Sequence, residues 1–185
     1  MWLAWALVAF GAVARGQEPS ASPAPPRAPD AVVETELGTF VIRLLPELAP
    51  RHVEHFVATA RKGGFDGTTF HRIIPRGIIQ GGDPLSKQAG KEAAYGTGGL
   101  GLLKAEFSER PMTRASVAAV LRPRQNDSAG NQFFVCLSDQ LQLNGQYTIF
   151  GEVTEGMEVV DAIGATPVSG DRAATRIEMR KVVIR

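Results

Sequence analysis

The alternation of apolar and polar positions predicts a domain built mainly from short β-strands. Residues 39–44 alternate polar with apolar side chains, and with residues 32–33 across the turn at residues 37–38 they predict a hairpin. Other apolar runs bounded by turn residues predict further strands at residues 68–73, 78–80, 116–121, 132–137, 147–153 and 177–184. Many short strands of this kind favour a closed antiparallel barrel or a sandwich.

Two segments have the spacing of helices instead. Pro50 stands at a position that the first turn of a helix accepts, and an i, i+3, i+4, i+7 apolar stripe follows from Val53. The glycine pair at residues 63–64 ends this helix. A second, shorter helix is predicted at residues 157–163.

The N-terminal residues differ in composition from the rest of the chain. Residues 2–13 form an apolar run that is shorter than the ~20 residues needed to span a bilayer as a helix, and small residues follow it. This pattern predicts a signal peptide at residues 1–16, cleaved after Ala14 or Gly16, and a periplasmic or secreted protein. No Lys or Arg precedes the apolar run, so an uncleaved anchor is the alternative. A Pro/Ala/Ser-rich linker at residues 17–30 then leads to a folded domain at residues 31–185.

Composition and charge exclude several classes of function. The chain has 185 residues, of which 44% are hydrophobic, and its 20 basic and 19 acidic residues leave a net charge of +1. This apolar content is enough to form a core. Because no run of basic residues is present, binding to nucleic acid has no electrostatic basis. Cys136 is the single cysteine, which excludes an intrachain disulfide, and its apolar neighbours indicate a buried thiol.

Two patterns look like ligand sites but have simpler interpretations. Residues 96–101 match the dinucleotide-binding spacing G-x-G-x-x-G, yet no apolar strand precedes them and no acidic residue follows at about 20 positions. We therefore interpret them as a glycine-rich loop. His52 and His55 have the spacing of two metal ligands on one helix, but His71 is the only other histidine. We interpret His52 and His55 as surface residues.

Three sequence blocks carry a more specific signal. They are FHRIIP at residues 70–75 with QGGD at residues 80–83, SAGNQFF at residues 128–134, and LNGQYTIFG at residues 143–151. In this order they resemble the motifs of the cyclophilins, with Asn144 where the family has aspartate. The likeness extends over residues 31–185.

The resemblance implies both a fold and an activity. Cyclophilins are closed eight-stranded antiparallel barrels capped by two α-helices, with the substrate groove on the outer face. They are peptidyl-prolyl cis-trans isomerases, which accelerate rotation about X-Pro bonds and assist protein folding without a cofactor or metal. The implied partners are proline-containing polypeptides, bound by a monomer. Nucleic acid is not among them, and once the signal peptide is cleaved no segment spans a membrane.

The resemblance also implies roles for individual residues. Arg72 is the implied catalytic residue, because a permanently charged, donor-only guanidinium can hydrogen-bond the prolyl nitrogen as the peptide bond twists. Gln80 and Gln132 are implied to position this group or to bind the substrate backbone. The other implied substrate-binding residues are Ile78, Val120, Phe134, Leu143 and Tyr147.

Several positions depart from the family pattern. Gly77 replaces a pocket phenylalanine, which predicts a wider proline pocket and slower catalysis unless the long loop at residues 121–127 fills the space. Gln142 replaces the tryptophan of cyclosporin-sensitive members. These departures leave a second interpretation open, a proline-segment binding module or chaperone with little turnover. An unrelated exported hydrolase is disfavoured, because the chain has no G-x-S-x-G motif.

Overall fold

The computed structural model describes residues 28–185, and one antiparallel sheet dominates them. Its strands are β1 Asp30–Thr35, β2 Gly38–Leu44, β3 Phe70–Ile74, β4 Ile78–Gly81, β5 Ser116–Ala119, β6 Phe133–Cys136, β7 Ile149–Glu155, β8 Val168–Ser169, β9 Arg172–Ala173 and β10 Met179–Ile184. They are hydrogen-bonded in the order β10-β1-β2-β7-β5-β6-β4-β3-β9-β8. The predicted hairpin is β1 with β2, and each further predicted strand overlaps an observed one.

The sheet curves so that β10, at one end of the strand order, approaches β3. Thr69 and Glu178 form an isolated antiparallel bridge, and beside it Phe70 N donates to Ile177 O at 2.9 Å. The named strands form an open series of ten rather than the closed set of eight that we expected. The additional pair, β8 and β9, is a hairpin with two residues in each strand. Strands this short have no measurable periodicity, so the sequence pattern did not predict them.

Two helices complete the fold, α1 Pro50–Arg61 and α2 Met157–Gly164, and both were predicted. The α1 N-terminus is capped from a distance, because the Glu106 carboxylate accepts the backbone N–H groups of Arg51 at 3.2 Å and His52 at 3.0 Å. A carboxylate is favoured there by the unpaired N–H groups and the helix dipole. Gly63, with φ of +67°, ends the helix in the left-handed conformation.

Six phenylalanines cluster in the interior of the sheet, among aliphatic side chains. Neighbouring rings have centroids 4.7 to 6.5 Å apart, and the residues are Phe40, Phe56, Phe65, Phe70, Phe133 and Phe150. A second, smaller apolar cluster lies outside this core and contains Ile78, Met112, Phe134 and Cys136. Burial, followed by the charge of Asp139, raises the pKa of the Cys136 thiol to about 12, as the prediction of a buried structural thiol requires.

The predicted signal peptide at residues 1–16 and all but the end of the linker at residues 17–30 lie outside the described residues. Within residues 28–185, no helix is long and apolar enough to cross a membrane.

Candidate active site

A β-bulge in β3 places Arg72 on the outer surface of the sheet. The pairing of β3 with β4 steps from Phe70–Gly81 directly to Arg72–Gln80, so β3 holds one extra residue, His71, at this point. Phe70 and His71 are buried, whereas the Arg72 side chain is 42% exposed. Bulges re-aim side chains in this way beside functional sites.

Arg72 is the outer end of a chain of side-chain hydrogen bonds. Its Nη1 donates to Gln80 Oε1 at 3.3 Å, and Gln80 Nε2 donates to Gln132 Oε1 at 3.0 Å. Gln132 Nε2 in turn donates to the carbonyl oxygen of Gly98 at 2.7 Å. The direction of this chain is fixed at both ends, because a carbonyl oxygen only accepts and a guanidinium only donates. Each amide therefore has a single orientation that satisfies both of its neighbours.

Asp171 holds a second nitrogen of Arg72. The Nε of Arg72 donates to Asp171 Oδ2 at 2.6 Å. This hydrogen bond keeps the pKa of the Asp171 carboxyl below its ordinary value, so this carboxyl is ionised at neutral pH. Arg72 Nη2 has no hydrogen bond to any residue of the described chain. Its N–H groups are therefore available to a ligand.

The glycine-rich loop supports the inner end of the hydrogen-bond chain. The buried Asp83 carboxylate accepts the backbone N–H groups of Gly96 at 2.5 Å and Gly98 at 3.2 Å. A Cβ on Gly98 would lie 2.3 Å from Asp83 Oδ1, so the loop approaches this carboxylate too closely for any other residue. The prediction that residues 96–101 form a loop is confirmed.

Apolar side chains line the same groove as Arg72. Phe134 is 3% exposed and lies opposite Gln80 in the pairing of β4 with β6. Tyr147 packs edge-on against Phe134, with ring centroids 5.3 Å apart at an interplanar angle of 89°. The groove has a volume of about 570 Å³, and the other predicted residues that line it are Ile78, Val120 and Leu143. This combination suits a small apolar ring next to a polar group.

The structure brings together seven of the eight predicted site residues, and Gln132 is the exception. It is fully buried behind Gln80, so it can position a neighbour but cannot touch a ligand in the groove. Sequence analysis missed Asp171, which lies 99 residues after Arg72, because no local pattern links the two. It also missed Phe107, a partly exposed aromatic residue in the groove lining.

The two main departures from the family pattern both lie outside the groove lining. Gly77 occupies the turn between β3 and β4, and its φ is not in the left-handed region. A Cβ there would meet the Cγ2 of Ile74 at 3.0 Å. Gln142 is exposed and donates to Gln140 Oε1 at 2.8 Å. Residues 121–126 do line the groove, and the effect of Gly77 on the pocket stays a prediction.

The prediction that His52 lies on the surface is wrong. His52 is buried, with Nδ1 2.5 Å from Glu106 Oε2, and burial lowers the pKa of its imidazole despite this acidic partner. The reason is helical geometry, since His52 stands four residues before Phe56 and shares its buried face. His55 is half-buried and contacts Asn131 Oδ1 through Nε2 at 2.7 Å.

Comparison with known proteins assigns the family. A family model described as cyclophilin type peptidyl-prolyl cis-trans isomerase/CLD matches residues 31–184. The chain belongs to the cyclophilin family. This cyclophilin is 39% identical over 165 residues to a probable peptidyl-prolyl cis-trans isomerase of Brucella suis. The aligned region covers 86% of this chain and 83% of the relative. It is 38% identical over 160 residues to a peptidyl-prolyl cis-trans isomerase-like 1 of Neurospora crassa, covering 83% of this chain and 93% of the relative.

Solved structures agree with this family. A cyclophilin type peptidyl-prolyl cis-trans isomerase of Cryptosporidium parvum, crystallised in the presence of the dipeptide Ala-Pro, superimposes with a TM-score of 0.75 at 26% identity. The match covers 84% of this chain and 98% of that one. The expected fold class, mainly antiparallel β with two helices, is confirmed, and so is the expected activity: this cyclophilin is a peptidyl-prolyl cis-trans isomerase.

Proposed function

We propose that this cyclophilin binds proline-containing polypeptides in the groove beside Phe134 and uses Arg72 as its catalytic residue. The observation that carries the proposal is the environment of Arg72. Its Nε is held by Asp171 and its Nη1 by Gln80, while Nη2 has no partner among residues 28–185. A guanidinium fixed on two sides, with one nitrogen free, is organised in advance to donate to a group that becomes a better acceptor during the reaction.

Rotation about an X-Pro bond creates such an acceptor. The planar amide has a barrier of about 18 to 20 kcal/mol because resonance delocalises the nitrogen lone pair. As the bond twists, the lone pair localises on the prolyl nitrogen and can accept a hydrogen bond from Arg72. The interaction is strongest in the twisted state, which is the condition for catalysis. Raising a rate of about 0.01 per second to about 1,000 per second requires about 7 kcal/mol of such stabilisation, and no covalent bond is made or broken.

The other groove residues have supporting roles in this proposal. Gln80 and, behind it, Gln132 keep the guanidinium in place, while Phe134 and Tyr147 contact the proline ring. The apolar ring gains free energy from this contact in proportion to the surface it removes from water. The Cryptosporidium parvum relative was crystallised in the presence of the dipeptide Ala-Pro, which supports the proposal that this groove binds a proline-containing ligand.

We also propose that the protein is exported to the periplasm or secreted, where it assists folding as a monomer. The apolar run at residues 2–13, the small residues after it and the proline-rich linker support a cleaved signal peptide at residues 1–16. N-terminal sequencing of exported protein should begin at Arg15 or Gln17. Intact Met1 would favour the uncleaved anchor.

Exchange NMR on a short X-Pro peptide measures the isomerase activity of the full chain. We expect cis-trans exchange cross-peaks to grow when the protein is added at a small fraction of the peptide concentration. The alternative is a binding module that holds proline segments with little turnover, which the glycine at position 77 favours. Peptide resonances that shift without faster exchange would support that alternative.

A further inference from the structure

The charged side chains that line the groove are all arginines. They are Arg72, Arg122 and Arg124, and no aspartate or glutamate of the described residues lines it. Asp171, the partner of Arg72, lies outside the lining. Because the whole chain has a net charge of only +1, this positive charge is a local property of the groove. A cleft lined by charge of one sign and by apolar walls concentrates its electric field on the ligand.

Arg124 has a backbone conformation that arginine rarely adopts. It is the third residue of a turn at residues 122–125, which is closed by Gln125 N donating to Arg122 O at 3.1 Å. Its φ is +61°, and Pro123 precedes it. Turns with this pattern prefer glycine or asparagine at the third position. Arginine is therefore strained there, and such strain is concentrated at functional sites.

The side chain of Arg124 also has no partner among residues 28–185. It is exposed, and it makes no hydrogen bond or ion pair with another residue of the described part of the chain. Local packing therefore gives no reason for an arginine in this position. Arg124 lines the groove, so a ligand bound there would explain why an arginine occupies this position.

Arg122 places a second, fixed charge at the base of the same turn. Its Nη2 donates to Leu100 O at 3.0 Å, and its guanidinium lies close to Gly101, where a Cβ would be 3.1 Å from Nη1. The backbone N–H of Arg122 is held by Ser128 Oγ at 2.7 Å. No carboxylate of the described residues pairs with Arg122, so its charge is fixed in place and not compensated.

We propose that the groove selects proline segments that carry an acidic residue close to the proline. The loop arginines would pair with that carboxylate, for which the forked guanidinium is well suited. An extended peptide advances about 3.3 Å per residue, so an acidic residue up to about two positions away lies within ~7 Å of the proline. The proposal rests on the isomerase function of the groove and specifies its substrates. Ion pairs between partly exposed charges are weak, so we expect kcat/KM to be about fivefold higher for a peptide with the acidic residue than for one without it.

The test uses the full chain and a set of proline peptides. A single glutamate is moved from two residues before the proline to two residues after it, with matched glutamine and lysine peptides at each position. Exchange NMR measures kcat/KM and titration calorimetry measures Kd. At the preferred position we expect about a fivefold advantage of glutamate over glutamine, with lysine weaker than glutamine. The advantage should shrink at high salt, because salt screens exposed charges.

Two variants assign the preference to the loop. Arg124→Gly removes the charge and relieves the positive φ, so the protein should stay folded and lose most of the preference for glutamate, measured as the ratio of kcat/KM for the glutamate peptide to kcat/KM for the glutamine peptide. Arg76→Gly is the matched control, since Arg76 is also exposed, also has φ of +61° and does not line the groove. This variant should keep the preference.

Equal kcat/KM and Kd for the glutamate and glutamine peptides would overturn the proposal, as would an unchanged preference in Arg124→Gly. If no peptide were isomerised at all, the isomerase function would fail instead. The Kd ratio would then still decide whether the groove selects acidic segments.

Discussion

The hydrogen-bond chain behind Arg72 can be broken without touching the groove, by Gln132→Met. Methionine has nearly the length and shape of glutamine but neither its N–H donors nor its carbonyl oxygen. Gln132 is fully buried and does not line the groove, so the substitution changes the support of Gln80 and Arg72 and leaves the ligand contacts intact. A loss of activity would therefore report on positioning.

The size of the effect follows from the lost bonds. Gln132 accepts from Gln80 and donates to Gly98, so methionine leaves one buried donor, on Gln80, and one half-buried acceptor, the Gly98 carbonyl, without partners. Each unsatisfied buried group costs about 1 to 3 kcal/mol, so the two together predict a free energy of unfolding lower by ~2 to 6 kcal/mol, towards the lower end because the Gly98 carbonyl is only half-buried. Gln80 would also hold Arg72 Nη1 less firmly. If that orientation is worth ~1 to 1.4 kcal/mol in the transition state, kcat falls about five- to tenfold.

Exchange NMR at saturating and limiting peptide separates kcat from KM, and urea denaturation measures the free energy of unfolding. We expect a lower kcat with KM within about twofold of the parent, because only the transition state needs the aligned guanidinium. Val135→Ala, a buried position outside the hydrogen-bond chain, is the control for destabilisation alone and should keep the parental kcat. A folded Gln132→Met protein with parental kcat would refute the positioning role.

Three further predictions follow from other contacts of the molecule. Asp171→Asn should lower kcat/KM, measured by exchange NMR, only about two- to fivefold, because the side chains of both Asp171 and Arg72 are exposed. A loss above a hundredfold would give Asp171 a larger role than holding Arg72 Nε. Burial lowers the pKa of His52 and of His71 below 6.5, so the unfolded chain binds more protons than the folded one in acid. The free energy of unfolding, measured by urea titration, should therefore be highest near neutral pH and decline from about pH 7 towards pH 5. In His71→Gln it should decline less steeply with falling pH. A slope equal to that of the parent would be evidence against a lowered pKa of His71. Gly77→Phe should raise kcat/KM on X-Pro peptides several-fold if the pocket is unfilled and Ile74 gives way, because the φ of Gly77 permits a side chain but its Cβ would lie 3.0 Å from Ile74 Cγ2. Unchanged or lower efficiency in a folded variant would mean that the space is already occupied.

The parts of the site that sequence predicted are those with a local signature. Arg72, Gln80 and Phe134 belong to contiguous motifs, and the strands that carry them have clear apolar patterns. Adjacent pairing of those strands then places Gln80 opposite Arg72 and Phe134. The motifs therefore predict which residues share the site, and the pairing of the strands in the fold shows how they meet.

The parts that sequence did not predict depend on contacts between distant segments. Asp171 meets Arg72 only because the β8–β9 hairpin folds against β3, and strands of two residues have no periodicity from which to predict them. The acidic partner of His52, Glu106, lies 54 residues away, so no local pattern predicts that contact. Its place four residues before Phe56 was a signal that the helical pattern did contain.

The loop at residues 121–127 shows a third reason why sequence did not predict the whole site. The sequence showed that residues 121–127 were long and held two arginines. Only the structure shows that this segment lines the groove and that one of its arginines has a positive φ. Loop conformation is set by turn closure and by contacts such as that of Ser128, which hydrophobic patterns do not encode.

The central claim is that Arg72 stabilises the twisted X-Pro bond, and the value of kcat for Arg72→Ala tests it most directly. Exchange NMR on one X-Pro peptide gives kcat, calorimetry gives Kd, and circular dichroism checks the fold. The account predicts that kcat falls at least about a hundredfold, the usual effect of removing a donor that acts on the transition state, while Kd changes little and the spectrum is that of the parent. A folded Arg72→Ala protein with kcat within twofold of the parent would contradict it.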